Sequence, residues 1–113
     1  MKRCKIKVLT KYNNLEEIND FFAIKDEDVI KYIDLEKNKM IINMKKNVLE
    51  RENKDYLFTF DFNMNNINIY IKNLKQSINK RIKTLIIDKN NKSYLVRYKL
   101  IDENVINEYF IKY

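Results

Sequence analysis

The chain has no glycine, proline, histidine or tryptophan, and only one cysteine. Without glycine it cannot build a glycine-rich phosphate loop or a nucleophile elbow. Without histidine it lacks the commonest general acid–base group and the commonest nitrogen ligand for metals. Ser77 and Ser93 are the only serines and have no such base to activate them. The acidic run Asp26-Glu27-Asp28 lacks calcium-loop spacing, and consecutive acids alternate faces on a strand, so it reads as a solvated turn. A non-catalytic protein without cofactor or metal is therefore expected.

One cysteine forms no internal disulfide. Cys4 alternates with Ile6 and Val8, which makes it a small buried hydrophobe in a reducing compartment. Long apolar runs are also missing: the opening MKRCKIKV is charged and then alternates, with neither a signal-type apolar core nor a membrane span. A cytoplasmic location is expected.

What is present is lopsided. The 113 residues include 19 lysines, 17 asparagines and 17 isoleucines, with a net charge of +7. AT-rich coding would produce this composition, so the charge alone does not assign a function. The length suits one domain, residues 1–113, burying about 65% of its unfolded surface. With glycine absent, asparagine is the best remaining residue for the left-handed backbone region, so asparagine pairs should mark turns.

Tyr56 to Ile71, YLFTFDFNMNNINIYI, has the period-2 alternation of a β-hairpin. A two-residue turn at Asn65-Asn66 would pair Met64 with Ile67, Phe62 with Ile69 and Phe60 with Ile71, placing the bulky apolar side chains on one face. Near the N-terminus, a turn at Asn13-Asn14 pairs Ile6 with Phe21, Cys4 with Ala23, Lys11 with Glu16 and Lys7 with Asp20. Leu15 to Phe22 also fits helical spacing behind an Asn14–Glu17 capping box, so periodicity leaves strand and helix open there.

Further strands are expected at Val29 to Asp34, Met40 to Met44 and Val48 to Glu52, whereas Leu74 to Ile78 is a poorly patterned connection. A three-residue loop at Lys89-Asn90-Asn91, with Asn91 left-handed, would pair Ile86 with Tyr94, Thr84 with Val96 and Ile82 with Tyr98. A turn at Glu103-Asn104 would then set Tyr98 against Tyr109, Val96 against Ile111 and Lys99 against Glu108. Eight or nine short strands with tight polar turns predict an all-β, antiparallel up-and-down meander closed into a small barrel.

Three segments, Tyr32-Ile33-Asp34, Val48-Leu49-Glu50-Arg51 and Tyr94 to Leu100 with its closing hairpin to Tyr113, resemble the small bacterial YwiB-like family of unknown function. The resemblance covers nearly the whole chain and implies a calycin-like β-barrel, with Leu15 to Phe22 a strand. This chain is shorter and lacks the glycines that members carry after the second strand and at turns. No catalytic residue carries over.

Between Asp61 and Asp88 there is no acid, and Lys72, Lys75, Lys80, Arg81 and Lys83 fall there. With Tyr70 and Arg97 on outward strand faces they form a candidate nucleic-acid or anion-binding strip, for which a solvated lysine-rich edge is the plainer reading. Arg51, between Glu50 and Glu52, reads as a cross-strand or rim ion pair. Two partners follow from these readings: a small apolar or amphiphilic ligand in or at the mouth of the barrel, and RNA on the basic strip. An edge strand offers a third route, pairing with another chain.

Overall fold

Short alternating segments give each hairpin one apolar face and two unpaired edges, and closing the meander on itself covers both. A computed structural model describes residues 1–113 and contains strands and turns only. Its ten strands are β1 (Lys2–Tyr12), β2 (Leu15–Asp26), β3 (Val29–Ile33), β4 (Lys39–Asn43), β5 (Val48–Glu52), β6 (Tyr56–Asp61), β7 (Asn66–Ile71), β8 (Gln76–Lys89), β9 (Ser93–Leu100) and β10 (Asn107–Lys112). Each pairs antiparallel with its neighbour in sequence, and β1 pairs with β10 to close the barrel. The count is ten rather than eight or nine. The stretch from Leu74, expected to be a connection, is a turn that runs at once into β8.

The first hairpin has the expected register, with Ile6 opposite Phe21, Cys4 opposite Ala23, Lys11 opposite Glu16 and Lys7 opposite Asp20. Asn13 and Asn14 both have positive φ (51° and 69°), as the right-handed twist of a two-residue hairpin requires. Leu15 to Phe22 is strand, and Cys4 is half-buried against the core.

Three other registers differ from expectation, two through turn chemistry and one through a longer loop. In β6–β7, the Asp61 carboxylate accepts the Asn63 and Met64 N–H groups (3.1 and 3.0 Å), and Asn65 takes φ 55°. The turn therefore spans residues 62–65, Phe60 faces Ile67 instead of Ile71, and Met64 is exposed. In β8–β9, Asn90 Oδ1 accepts from Lys92 and Ser93 N–H (2.8 and 3.0 Å), Asn91 is not left-handed, and Lys89 pairs with Tyr94. A bulge between Thr84 and Ile86 then puts Ile87, not Ile86, against the core. In β9–β10 the loop spans residues 101–106, so Val96 faces Tyr109, Tyr94 faces Ile111, and Arg97 takes the Glu108 partner expected for Lys99.

Because the strands alternate in direction, the loops sort to two ends. One end carries the turns at 27–28, 44–47, 62–65 and 90–92 together with both termini. The other carries 13–14, 34–38, 53–55, 72–75 and 101–106. The first end is plugged. Met44 and Phe62, both turn residues, fold inward and are buried. The loops beneath them are tied by Phe62 N–H to Asn47 O (3.0 Å), Asn63 Nδ2 to Lys46 O (3.1 Å) and Lys89 Nζ to Met44 O (2.8 Å). Above this plug Ile6, Ile30, Ile42, Tyr94, Val96 and Ile111 form the tightest part of the core, each no more than 1% exposed.

Candidate functional site

At the other end the wall is incomplete. β2 pairs with β3 only through Ala23 to Asp26, so its first two thirds, Leu15 to Phe22, have β1 on one side and no strand on the other. The shorter β3–β4 hairpin stops at the loop 34–38, leaving a mouth between that loop and the free part of β2. The loop is fixed by Asp34, whose carboxylate accepts from Asn38 N–H (2.8 Å), Asn38 Nδ2 (3.0 Å) and Glu36 N–H (3.0 Å). Leu35 at its tip, and Tyr12 and Leu15 across the mouth, are exposed apolar side chains.

Behind this rim lies a cavity of about 390 Å3, toward the lower end of the ~300–1,000 Å3 usual for ligand pockets. Alternation supplies its walls: Val8 and Thr10 from β1, Phe21 from β2, Tyr32, Met40, Leu49 and Phe60 from successive strands, then Tyr98 and Tyr109. The rings pack on one another, with Phe60 and Phe62 centroids 5.9 and 5.4 Å from Tyr98, and Phe21 5.0 Å from Tyr32. Toward its inner side the Tyr32 and Tyr109 hydroxyls share a hydrogen bond of 2.7 Å, and burial raises both their pKa values well above the ordinary tyrosine value. Burial also pushes Tyr98 up to about 12, with the nearby Arg51 charge acting in the opposite direction.

Arg51 shares this interior. It alternates with the outward Glu50 and Glu52, and it lines the cavity with its guanidinium 4.6 Å from the centroid of the Phe58 ring. The ion pair expected for it is not made. The chain's three salt bridges join Lys7 to Asp20, Lys72 to Glu52 and Arg97 to Glu108. Glu50 and Glu52 fall on the opposite strand face, out of its reach. The period-2 rule therefore carried the signal for Arg51 as an interior residue. The cavity itself had none, because it depends on where non-neighbouring strands stop.

The basic strip is only partly assembled. Lys72 lies in the β7–β8 turn with Nζ 2.8 Å from Glu52, and this hydrogen bond holds the Glu52 carboxyl below its ordinary range. Lys75 is in the same turn at φ 51°. Lys80 falls on the Ile82 side of β8, and Tyr70 stands half-buried between Leu57 and Ser77. Arg97 is paired with Glu108. Arg81 and Lys83 do share the outer face of β8, where Lys83 sits opposite Lys99, a lysine expected to face Glu108 instead.

The outer surface also carries an apolar groove, where Phe22, Ile24, Ile33 and Ile41 lie among Arg3, Lys31 and Lys39. No family model, curated protein or solved structure matches the chain.

Proposed function

We infer that the protein is a non-catalytic binding module, calycin-like in the sense the YwiB-like resemblance implies, that takes a small apolar or amphiphilic ligand through the mouth of its barrel. The observation that carries this reading is the pairing of an aromatic-lined cavity of about 390 Å3 with a rim of exposed Tyr12, Leu15 and Leu35. Exposed apolar side chains grouped around an opening are costly in water unless something apolar passes or docks there. Native mass spectrometry of the purified protein, together with titration of a fluorescent hydrophobe, tests it. A co-purifying mass or saturable dye binding is expected, and Thr10→Trp, which fills the cavity from β1, should abolish it. A clean apo mass with no saturable dye binding would overturn the reading.

A second reading, contact with the RNA backbone, is favoured by the convergence of Arg81, Lys83 and Lys99 on one outer face. Replacing all three by glutamine should lower RNA affinity and flatten its salt dependence. An unchanged slope removes that face from consideration.

A further inference from the structure

The cavity is lined by exposed Lys11, Glu17 and Glu36 at its rim and by one half-buried cation, Arg51, that the protein itself leaves without an ion-pair partner. Of the four arginines, Arg3 and Arg81 are exposed and Arg97 is paired with Glu108, whereas Arg51 is half-buried inside the barrel. A guanidinium facing aromatic walls has lost part of its hydration, and without a carboxylate partner that loss is compensated only in part by the Phe58 ring. Four acids line the cavity with it, and none is paired with it. The Asp34 oxygens are taken by its own loop, Glu108 is paired with Arg97, and Glu17 and Glu36 stand in solvent at the rim. One further donor faces the cavity. The hydroxyls of Tyr32, Tyr94, Tyr109 and Tyr113 all have hydrogen-bond partners, whereas that of Tyr98 has none.

Resting on the reading of the mouth as a ligand site, we propose that its ligand is a monocarboxylate with an apolar body, the carboxylate held by the Arg51 guanidinium and the body lying against Phe21, Phe60 and Leu49. A planar guanidinium matches a carboxylate with two parallel N–H···O bonds, and the Tyr98 hydroxyl is the additional donor on the same cavity wall. One guanidinium balances one negative charge, so a monoanion suits the site better than a phosphate dianion. The body is limited to a short chain or a single ring by the volume of about 390 Å3. The exposed acids at the rim oppose entry of an anion only weakly, since solvent and salt screen them, and they disfavour multiply charged acids most.

The test is a matched series titrated calorimetrically at fixed ionic strength: octanoate, 1-octanol and octylamine, with 4-phenylbutyrate as a ring-bearing acid. The wild-type protein should bind octanoate roughly 10- to 100-fold more tightly than octanol. Arg51→Met, which keeps an apolar stem, should lose that preference while octanol affinity changes by less than about 3-fold. The wild-type comparison stands by itself if the variant does not fold, and a shift of the Arg51 Nε–H resonance on adding octanoate provides a second reading on the same residue. Equal binding of octanoate and octanol, or tighter binding of octylamine, overturns the carboxylate assignment and leaves the apolar ligand site standing. Binding of none of the four overturns both.

Discussion

The two ends of the barrel are built from the same ten strands with the same alternation, yet one is full and the other hollow. At the plugged end, branched aliphatic side chains meet across the axis, and two turn residues, Met44 and Phe62, fold in beneath them. At the open end the inward positions hold Thr10, Asn19, Arg51 and aromatic rings, while the strand-end residues Tyr12 and Leu15 and the loop residue Leu35 stand exposed at the rim. Inward-facing is thus a geometric property of a position, and what fills the space depends on which turns fold over the opening. Tight packing and an open cavity are thereby assigned to opposite ends of one sheet.

Truncation should separate the ends most clearly. Ile111→Ala, in the full half, is expected to cost about 2–5 kcal/mol, read as a shift in urea midpoint with unchanged slope. Phe60→Ala, on the cavity wall, should cost less and increase dye binding by enlarging the space. Equal losses at the two positions would mean that the hollow end is as tightly packed as the plugged one.

Alkaline titration probes both halves together, since Tyr94 belongs to the full half and Tyr98 to the hollow one. Burial pushes each up to about 12, against an ordinary value of 10 in the unfolded chain. Below pH 10 both states keep the phenol proton and this contribution is constant. Above it the unfolded chain releases the proton first, so stability falls from pH 10 to about 12, on the order of 2 kcal/mol per tyrosine. Tyr94→Phe should flatten the fall by one tyrosine's share, and carboxylate bound at the mouth should alter only the share belonging to Tyr98.

A smaller effect is expected at the boundary between the halves. Tyr109→Phe leaves the Tyr32 hydroxyl buried without its 2.7 Å partner, a loss of about 1–2 kcal/mol in thermal or urea unfolding. The smallest change lies at the rim. Lys37 holds φ 68° in the loop 34–38, where glycine removes a strain of about 1–2 kcal/mol and adds back about 0.5–1 kcal/mol of chain entropy. Lys37→Gly should therefore raise the melting temperature slightly and leave dye binding intact.

Alternation made most strands legible, and β5 falls on the expected residues, Val48 to Glu52. It also assigned the Asn13-Asn14 turn, because two residues free to take positive φ lie between perfectly alternating arms. It failed on register in β6–β7 and β9–β10 for one reason. A slip that moves each residue's partner by an even number of positions keeps every side chain on its own face, so apolar pairing cannot distinguish Phe60 opposite Ile71 from Phe60 opposite Ile67. The deciding groups in β6–β7 and β8–β9 were Asp61 and Asn90, which bind backbone N–H groups within their own turns. The mouth was less legible still. Arg51 could be placed inside by parity, but its lack of a partner and the free part of β2 follow only from how far β3 and β4 extend.

Nine of the ten strand pairings join neighbours in sequence, and only β1 with β10, Lys7 to Lys11 against Glu108 to Lys112, brings distant residues together. Folding can therefore proceed as a succession of local hairpins, with a single long loop closure of about 100 residues left until last. That closure ladder carries Val8, Thr10, Lys11, Glu108 and Tyr109, five of the residues that line the cavity. The seam that forms last is thus also a wall of the cavity, and a ligand of the proposed kind seated there would slow the reopening of the ring by bridging its two sides.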